Sequence, residues 1–294
     1  MSTSASVQST VITPLTTPFT ATGAVDMPAA RELFRFTAAT TGRLMIAGTT
    51  GEFPALDRVE RRRLLELALE TAGSQGVMAH TGAADTHTAV ALTRDAVAAG
   101  ATRIAALTPY YFTADEGELL DHFRRVREAA GDTDLYAYLF PERSGITVGP
   151  EPFGRLAADC GFAGVKLSGS PSTQVAAYRA ALPADSTVYS GNDALLTTVL
   201  DEGGAGVISG CSGALPEPFL ELAAAHRAGA GAGELARLQG RVDRVVALLG
   251  PSVGRIKRAL VARGLPAGTA RMTVGHPDER TAAEIEKLVA DLAC

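Results

Sequence analysis

Residues 161–170 read GFAGVKLSGS, and the four residues Gly164–Leu167 within them decide how the rest of the chain is read. GVKL is short, apolar and bounded by glycine, alanine and serine, as expected of a buried strand, yet it carries a lysine at its centre. Of the 27 basic residues only three are lysine, namely Lys166, Lys257 and Lys287. A chain that nearly always selects arginine has a reason to change here. Arginine stays protonated in proteins, whereas a desolvated lysine can become a neutral, nucleophilic amine.

Working outward, similar short runs recur at Val11–Leu15, Leu44–Gly48, Val77–Thr81, Arg103–Thr108, Leu135–Leu139, Thr187–Ser190 and Gly206–Ser209, making eight with Gly164–Leu167. Longer stretches with helical periodicity lie between them, among them Asp57–Gly73, Thr86–Gly100 and Glu116–Ala130. Asp57 stands where a helix can begin, and Gly73 and Gly100 where helices stop. Strands alternating with helices imply a parallel sheet, and eight such units can close into a (β/α)8 barrel. The runs are continuously apolar, as when both faces of a sheet are covered. A doubly wound open sheet is the competing architecture, but its G-x-G-x-x-G is missing after the first run, which leads into TPLTTPF.

Beyond the eighth run, helical patterns continue at Leu215–Ala228, Glu234–Leu249, Val253–Arg263 and Pro277–Leu292, with the glycine-rich GAGAG after the first of them read as a flexible connection. The expected organisation is a barrel over 1–228 carrying a helical extension over 229–294. No fixed-period repeat is seen beyond the barrel's own alternation.

The bulk properties exclude several classes. A formal net charge of −5 points away from nucleic-acid binding, and Arg61, Arg62 and Arg63 fall in a helical pattern as a solvated face. Cys160, Cys211 and Cys294 form no C-x-x-C pair and suit a reducing compartment. The N-terminal MSTSASVQST has no basic-then-apolar signal and is expected to fray. No apolar run is long enough to span a bilayer. A cytoplasmic protein with no membrane partner is expected.

In a (β/α)8 barrel, chemistry sits at the C-terminal ends of the strands. Those ends carry GTTGE (48–52), HTG (80–82), TPYY (108–111), Tyr138 with FPERSG (140–145), Lys166, SGND (190–193) and SGCSG (209–213). Hydroxyls, one amine and one guanidinium dominate, and carboxylates are scarce. That set suits a Schiff-base enzyme in which Lys166 attacks the ketone of a 2-oxo acid, its apolar neighbours Val165 and Leu167 disfavouring the charged amine. A phenol beside it can move protons as the carbinolamine forms and breaks down. A buried lysine paired with a carboxylate is the competing reading.

Taken together, GTTGE, TPYY, a strand-5 tyrosine followed by P-x-R-[ST]-G, G-V-K and SGND resemble the dihydrodipicolinate synthase/N-acetylneuraminate lyase family in order and approximate spacing, from about Thr13 through Ile208. The resemblance implies that Lys166 is the Schiff-base lysine and Tyr138 the phenol that relays protons. It implies that Thr49 and Tyr111 complete a hydroxyl relay, Tyr111 reaching in from a neighbouring subunit. Thr50 would cradle the 2-oxo acid carboxylate, Gly191 and Ile208 would line the pyruvate pocket, and Arg143 would bind a carboxylate of the second substrate. It further implies a homotetramer built as a dimer of dimers, small-molecule partners (a 2-oxo acid and an aldehyde), and no cofactor or metal.

Each assignment has a plainer competitor. Thr49 and Thr50 could only shape a turn, Tyr110 and Tyr111 could be core aromatics, and Arg143 could pair with Glu142, Asp115 or Glu116. Asp193 reads as the N-cap of a helix over Ala194–Leu200. His80 could end a strand near the pocket, and Cys211 could be packing; the five histidines have no metal-site spacing. Three departures from the family pattern, Leu139, Leu167 and Phe112, read as removing polar groups near the site. They leave open a synthase, an aldolase or dehydratase for another 4-hydroxy-2-oxo acid or a 2-keto-3-deoxy sugar acid, or a non-catalytic keto-acid-binding relative. Arg143 favours a synthase, and the set of Thr49, Tyr111, Tyr138 and Lys166 speaks against a non-catalytic protein.

Overall fold

The computed structural model describes residues 10–293. The expected frayed N-terminus falls, Thr10 apart, outside the described residues, as does Cys294. Eight strands, β1 (Val11–Pro14), β2 (Leu44–Ile46), β3 (Val77–His80), β4 (Arg103–Leu107), β5 (Asp134–Leu139), β6 (Gly164–Leu167), β7 (Thr187–Ser190) and β8 (Gly206–Ile208), follow one another in sequence order around a closed barrel. The expected (β/α)8 architecture is the observed one, and the open doubly wound sheet is excluded.

Helices α1 (Met27–Ala39), α2 (Arg58–Ala72), α3 (Thr86–Ala98), α4 (Glu116–Ala130), α5 (Pro141–Ser144), α6 (Pro150–Cys160), α7 (Val175–Ala181) and α8 (Leu196–Asp201) connect the strands. Helices α9 (Glu217–Arg227), α10 (Ala232–Leu249), α11 (Val253–Ala262) and α12 (Glu279–Leu292) follow β8. Local chemistry sets the helix ends. At α2 the Asp57 carboxylate accepts from the Glu60 amide while the Glu60 carboxylate accepts from the Asp57 amide; Asp115 and Glu118 repeat the device at α4. Such a reciprocal cap satisfies two otherwise orphaned N–H groups. Gly73 closes α2 with a φ of 70°, a region where a side chain is strained.

By contacts, the chain groups into two compact units. One contains the residues through Gly76 together with those from Ser209 onward; the other is Val77–Ile208. The second unit's core includes an aromatic cluster: Phe162 meets Phe123 edge-on at 5.2 Å and stacks on Phe153 at 5.9 Å. Phe153 in turn abuts Tyr178, whose hydroxyl donates to the Val148 carbonyl at 2.5 Å. Burial pushes the Tyr178 phenol up to about 12, so it stays a donor there. In the first unit Arg263 forks onto Glu217 and lies 4.8 Å over the Phe36 ring, tying α9 and α1 to the end of α11.

Several boundaries differ from the sequence reading. Strand β2 stops at Ile46 because Ala47 is left-handed, with φ 54°, and cannot continue a ladder. Helix α10 begins at Ala232, so Ala232 and Gly233 are helical and the connection after α9 is shorter than GAGAG. After β7 the N-cap is Asn192, whose Oδ1 accepts from the Ala194 amide at 3.3 Å, and not Asp193. Asp193 instead opens the short 3-10 turn Asp193–Leu195 that precedes α8.

Candidate active site

In the second unit, β5 and β6 pair in parallel with Tyr138 opposite Lys166. Residues directly opposite in register project from the same face of a sheet. Both side chains are buried, Lys166 at 5% and Tyr138 at 1% exposure. The Lys166 Nζ lies 4.1 Å from the centroid of the Tyr138 ring. The amine and the phenol that the sequence singled out are therefore in contact, inside the sheet and away from bulk water.

The ring of Tyr138 is held on two other sides. His80, at the end of β3, meets it edge-on with centroids 5.9 Å apart. Phe140 stacks on it at 6.1 Å with an interplanar angle of 29°. The Arg143 guanidinium then sits 5.8 Å over Phe140. A continuous line of side chains thus runs from Lys166 through Tyr138 and Phe140 to Arg143. Phe140 was not among the sequence candidates; its signal was an aromatic residue at the turn between the strand-5 tyrosine and P-E-R.

Arg143 is exposed, and it does not take the ion pairs the sequence left open. Glu142 accepts from the Ser170 amide at 2.8 Å, which holds its carboxyl below the usual range, and Glu116 pairs with Arg155 at 3.3 Å. Asp115 caps α4. The Glu142 contact joins α5 to the turn that follows Lys166.

Gly191 follows β7, and its amide donates to the Leu167 carbonyl at 2.6 Å. A Cβ there would collide with the Ser168 hydroxyl and come within 3.2 Å of the Leu167 carbonyl. The close approach of β7 to β6 requires glycine at this position. Ile208 is buried at the end of β8. Tyr111 stands apart: it is 86% exposed with φ 85° and meets the equally outward Phe112 edge-on at 5.1 Å. Tyr110 is half-buried.

Leu139 and Leu167 correct one expectation. Strand alternation puts them on the face opposite Tyr138 and Lys166, where both are fully buried. They belong to the packing behind the strands, so replacing polar residues there does not strip polar groups from the site.

In the first unit, Thr49 and Thr50 occupy the turn after β2, both half-buried. The turn is closed by the Gly51 amide to the Gly48 carbonyl at 3.0 Å and the Glu52 amide to the Thr49 carbonyl at 3.1 Å. Left-handed residues bracket it, Ala47 at φ 54° and Glu52 at φ 58°. A Cβ on Gly210, after β8, would stand 3.2 Å from the Thr50 hydroxyl. The turn that the sequence reading allowed for this threonine pair is present.

Among the described residues, no helix is long and apolar enough to cross a membrane.

Residues 8–292 match the model of the dihydrodipicolinate synthetase family. A 4-hydroxy-tetrahydrodipicolinate synthase from Synechococcus sp. (strain WH7803) is 32% identical over 285 residues, covering 96% of this chain and 94% of its own. Among solved structures, the dihydrodipicolinate synthase of Cyanidioschyzon merolae, with lysine bound, has a TM-score of 0.88 at 28% identity, covering 98% of this chain and 99% of its own. The Escherichia coli K12 prophage protein YagE, of the dihydrodipicolinic acid synthase family and in complex with pyruvate, has a TM-score of 0.85 at 27% identity, covering 97% and 98%.

Proposed function

We propose, since the chain belongs to the dihydrodipicolinate synthetase family, that it is a lyase making or breaking a carbon–carbon bond of a 2-oxo acid, with pyruvate the first choice, through an imine on Lys166. The observation that carries this is the contact of the Lys166 amine with the buried Tyr138 ring at 4.1 Å, on neighbouring strands in register.

The chemistry runs as follows. The Lys166 nitrogen attacks the ketone carbon with its lone pair, and the carbonyl oxygen takes up a proton delivered through the Tyr138 phenol. The carbinolamine loses water to give an iminium, which draws electrons from the adjacent carbon so that its proton leaves and an enamine forms. Enamine carbon then attacks an aldehyde carbon, whose oxygen takes up a proton to become a hydroxyl, and water hydrolyses the new iminium, restoring the amine and releasing the new 2-oxo acid. Cleavage of a 4-hydroxy-2-oxo acid is the same sequence reversed.

Thr50 and the turn around it hold the 2-oxo acid carboxylate, and Thr49 extends the hydroxyl relay from the phenol. Gly191 and Ile208 line the pocket, the glycine standing where a Cβ would collide with the Ser168 hydroxyl. Arg143 binds a carboxylate on the second substrate, since a guanidinium matches carboxylate geometry with two parallel N–H donors. Tyr111 completes the relay in a second copy of the chain, with a homotetramer as the assembly and the cytoplasm as the compartment. The outward pair of Tyr111 and Phe112 supports that arrangement, because two adjacent exposed aromatics are costly in water and suited to an interface.

Borohydride reduction in the presence of pyruvate tests the reading. A reduced adduct turns Lys166 into a secondary amine that trypsin does not cut, so the peptide spanning 156–179 should appear intact and heavier. An adduct on Lys257, or none, sinks the proposal.

A further inference from the structure

The turn that carries Thr49 and Thr50 is fastened from beneath by a buried ion pair. Lys257, on α11, places its Nζ 3.0 Å from Glu52 Oε1, with side-chain exposures of 7% and 1%. The same ammonium donates to the Thr17 carbonyl at 2.7 Å and to the Thr269 carbonyl, and it lies 5.2 Å over the Phe19 ring. The other carboxylate oxygen of Glu52 accepts from the amides of Arg271 at 2.9 Å and Met272 at 2.8 Å. Thr17 closes the circuit by donating its hydroxyl to the Gly51 carbonyl at 2.8 Å. A Cβ on Gly51 would stand 2.9 Å from the Leu15 carbonyl, so the turn also sits hard against the end of β1.

This arrangement differs from ordinary stabilisation in two respects. A buried ion pair gives little net stability, because removing both charges from water offsets most of their attraction. Here burial lowers the Lys257 pKa despite the opposing pull of Glu52, so desolvation is the larger effect. Meanwhile Glu52 is held in a left-handed conformation that a non-glycine residue adopts only when its surroundings over-determine it. The hydrogen bonds and ion pair of these two residues reach either the turn that carries the threonines or a segment bonded to Gly51 or Glu52 of that turn.

We infer that Glu52 and Lys257 are positioning residues for the Thr49–Thr50 carboxylate cradle, and that α11 and the segment 269–272 belong to the substrate site through them. This rests on the assignment of the threonine pair to the 2-oxo acid carboxylate. The pair acts at a distance of one turn: Glu52 fixes where the chain leaves the cradle, and Lys257 fixes Glu52 to β1's loop and to the C-terminal segment.

Glu52→Gln is the test, since it keeps the shape and the acceptor for the two amides while removing the charge. Misplacing a substrate-holding group by about 1 Å can cost up to ~10²-fold. In the folded variant the KM for pyruvate should rise by about tenfold or more, with kcat at saturating pyruvate within about threefold of the parent. Borohydride should still label Lys166 at saturating pyruvate. Lys257→Met should behave alike, and Lys257→Arg, which restores the charge, should recover part of the KM. Ile285→Val, a small core truncation in α12, serves as the stability control and should lower the Tm without moving KM.

An unchanged KM in folded Glu52→Gln overturns the inference, even if its Tm falls. Should Glu52→Gln not fold, Thr17→Val removes only the hydroxyl that holds Gly51; an unchanged KM there overturns the inference equally, and a rise of about threefold supports it. The two readings fail differently. Absence of an adduct on Lys166 in the unmutated protein defeats the Schiff-base reading, whereas an adduct there with an unmoved KM defeats only this one.

Discussion

Two of the three lysines are buried to nearly the same extent, in different surroundings. Lys257 in the first unit meets a carboxylate, two carbonyl oxygens and the face of Phe19. Lys166 in the second unit lies against the ring of a phenol, opposite it in strand register. Burial alone therefore says nothing about whether a lysine is a nucleophile. The chemistry of the groups each lysine faces enters as well.

Making the same substitution at both positions is the sharpest way to break that comparison. Lys166→Arg should leave the fold intact, as judged by circular dichroism and Tm, and remove both turnover and the reducible adduct, because the guanidinium cannot supply a lone pair. Lys257→Arg should still form the adduct on Lys166 and slow turnover by less than about tenfold, since the charge that Glu52 requires is retained. If arginine is tolerated at 166, the functional distinction between the two sites is wrong.

Tyr138→Phe probes the other half of the contrast with a smaller expected effect. The ring that Lys166, His80 and Phe140 touch stays in place, and only the hydroxyl is lost. If that hydroxyl relays protons, kcat should drop by about 10²–10⁴-fold while the Tm barely moves. A rate within threefold of the parent would leave Tyr138 as a packing surface and assign the relay to another group.

The difference between the two lysines was only half legible in the sequence. Lys166 stood out because it is a lysine in an arginine-rich chain and occupies the centre of a strand whose limits, Gly164–Leu167, could be read without error. The barrel itself was legible from eight apolar runs, since each is bounded by residues that break strands. Lys257 was not legible as the partner of Glu52, because 205 positions separate them in the chain and neither RIKRAL nor GTTGE hints at the other. The wrong facing of Leu139 and Leu167 has a related cause. A closed parallel barrel has apolar residues on both faces of each strand, so alternation disappears from the sequence and with it the means of telling inward from outward. The premature end of β2 was hidden for a different reason. Ala47 carries no turn signal, and its left-handed backbone is imposed by the turn it enters.

A third buried titratable group, His122 on α4, extends the comparison to a cation that folding excludes. Its Nδ1 is 3.0 Å from the Thr86 hydroxyl, and among the described residues its Nε2 has no hydrogen-bond partner. Burial, aided by Arg125, pushes the imidazole down to about 4 from the ordinary 6.5, against the weaker pull of Asp121 and Asp85. Well above pH 6.5 the ring is neutral whether the chain is folded or not, and it contributes no pH dependence. Between 6.5 and 4 the unfolded chain binds a proton that the folded chain refuses, so stability falls as pH falls and the full penalty is reached below about 4. At pH 4.5 the loss assigned to this residue is about 2 kcal/mol. His122→Asn keeps a polar atom near the position of Nδ1 and cannot be protonated. Urea unfolding of both proteins at pH 7 and pH 4.5 isolates the effect from the carboxylates common to both: the difference in stability between parent and variant should shift by about 2 kcal/mol in favour of the variant at the lower pH. An identical shift in both proteins would mean that His122 takes up its proton in the folded state as readily as in water, and that burial at this position, unlike at Lys257, carries no electrostatic cost.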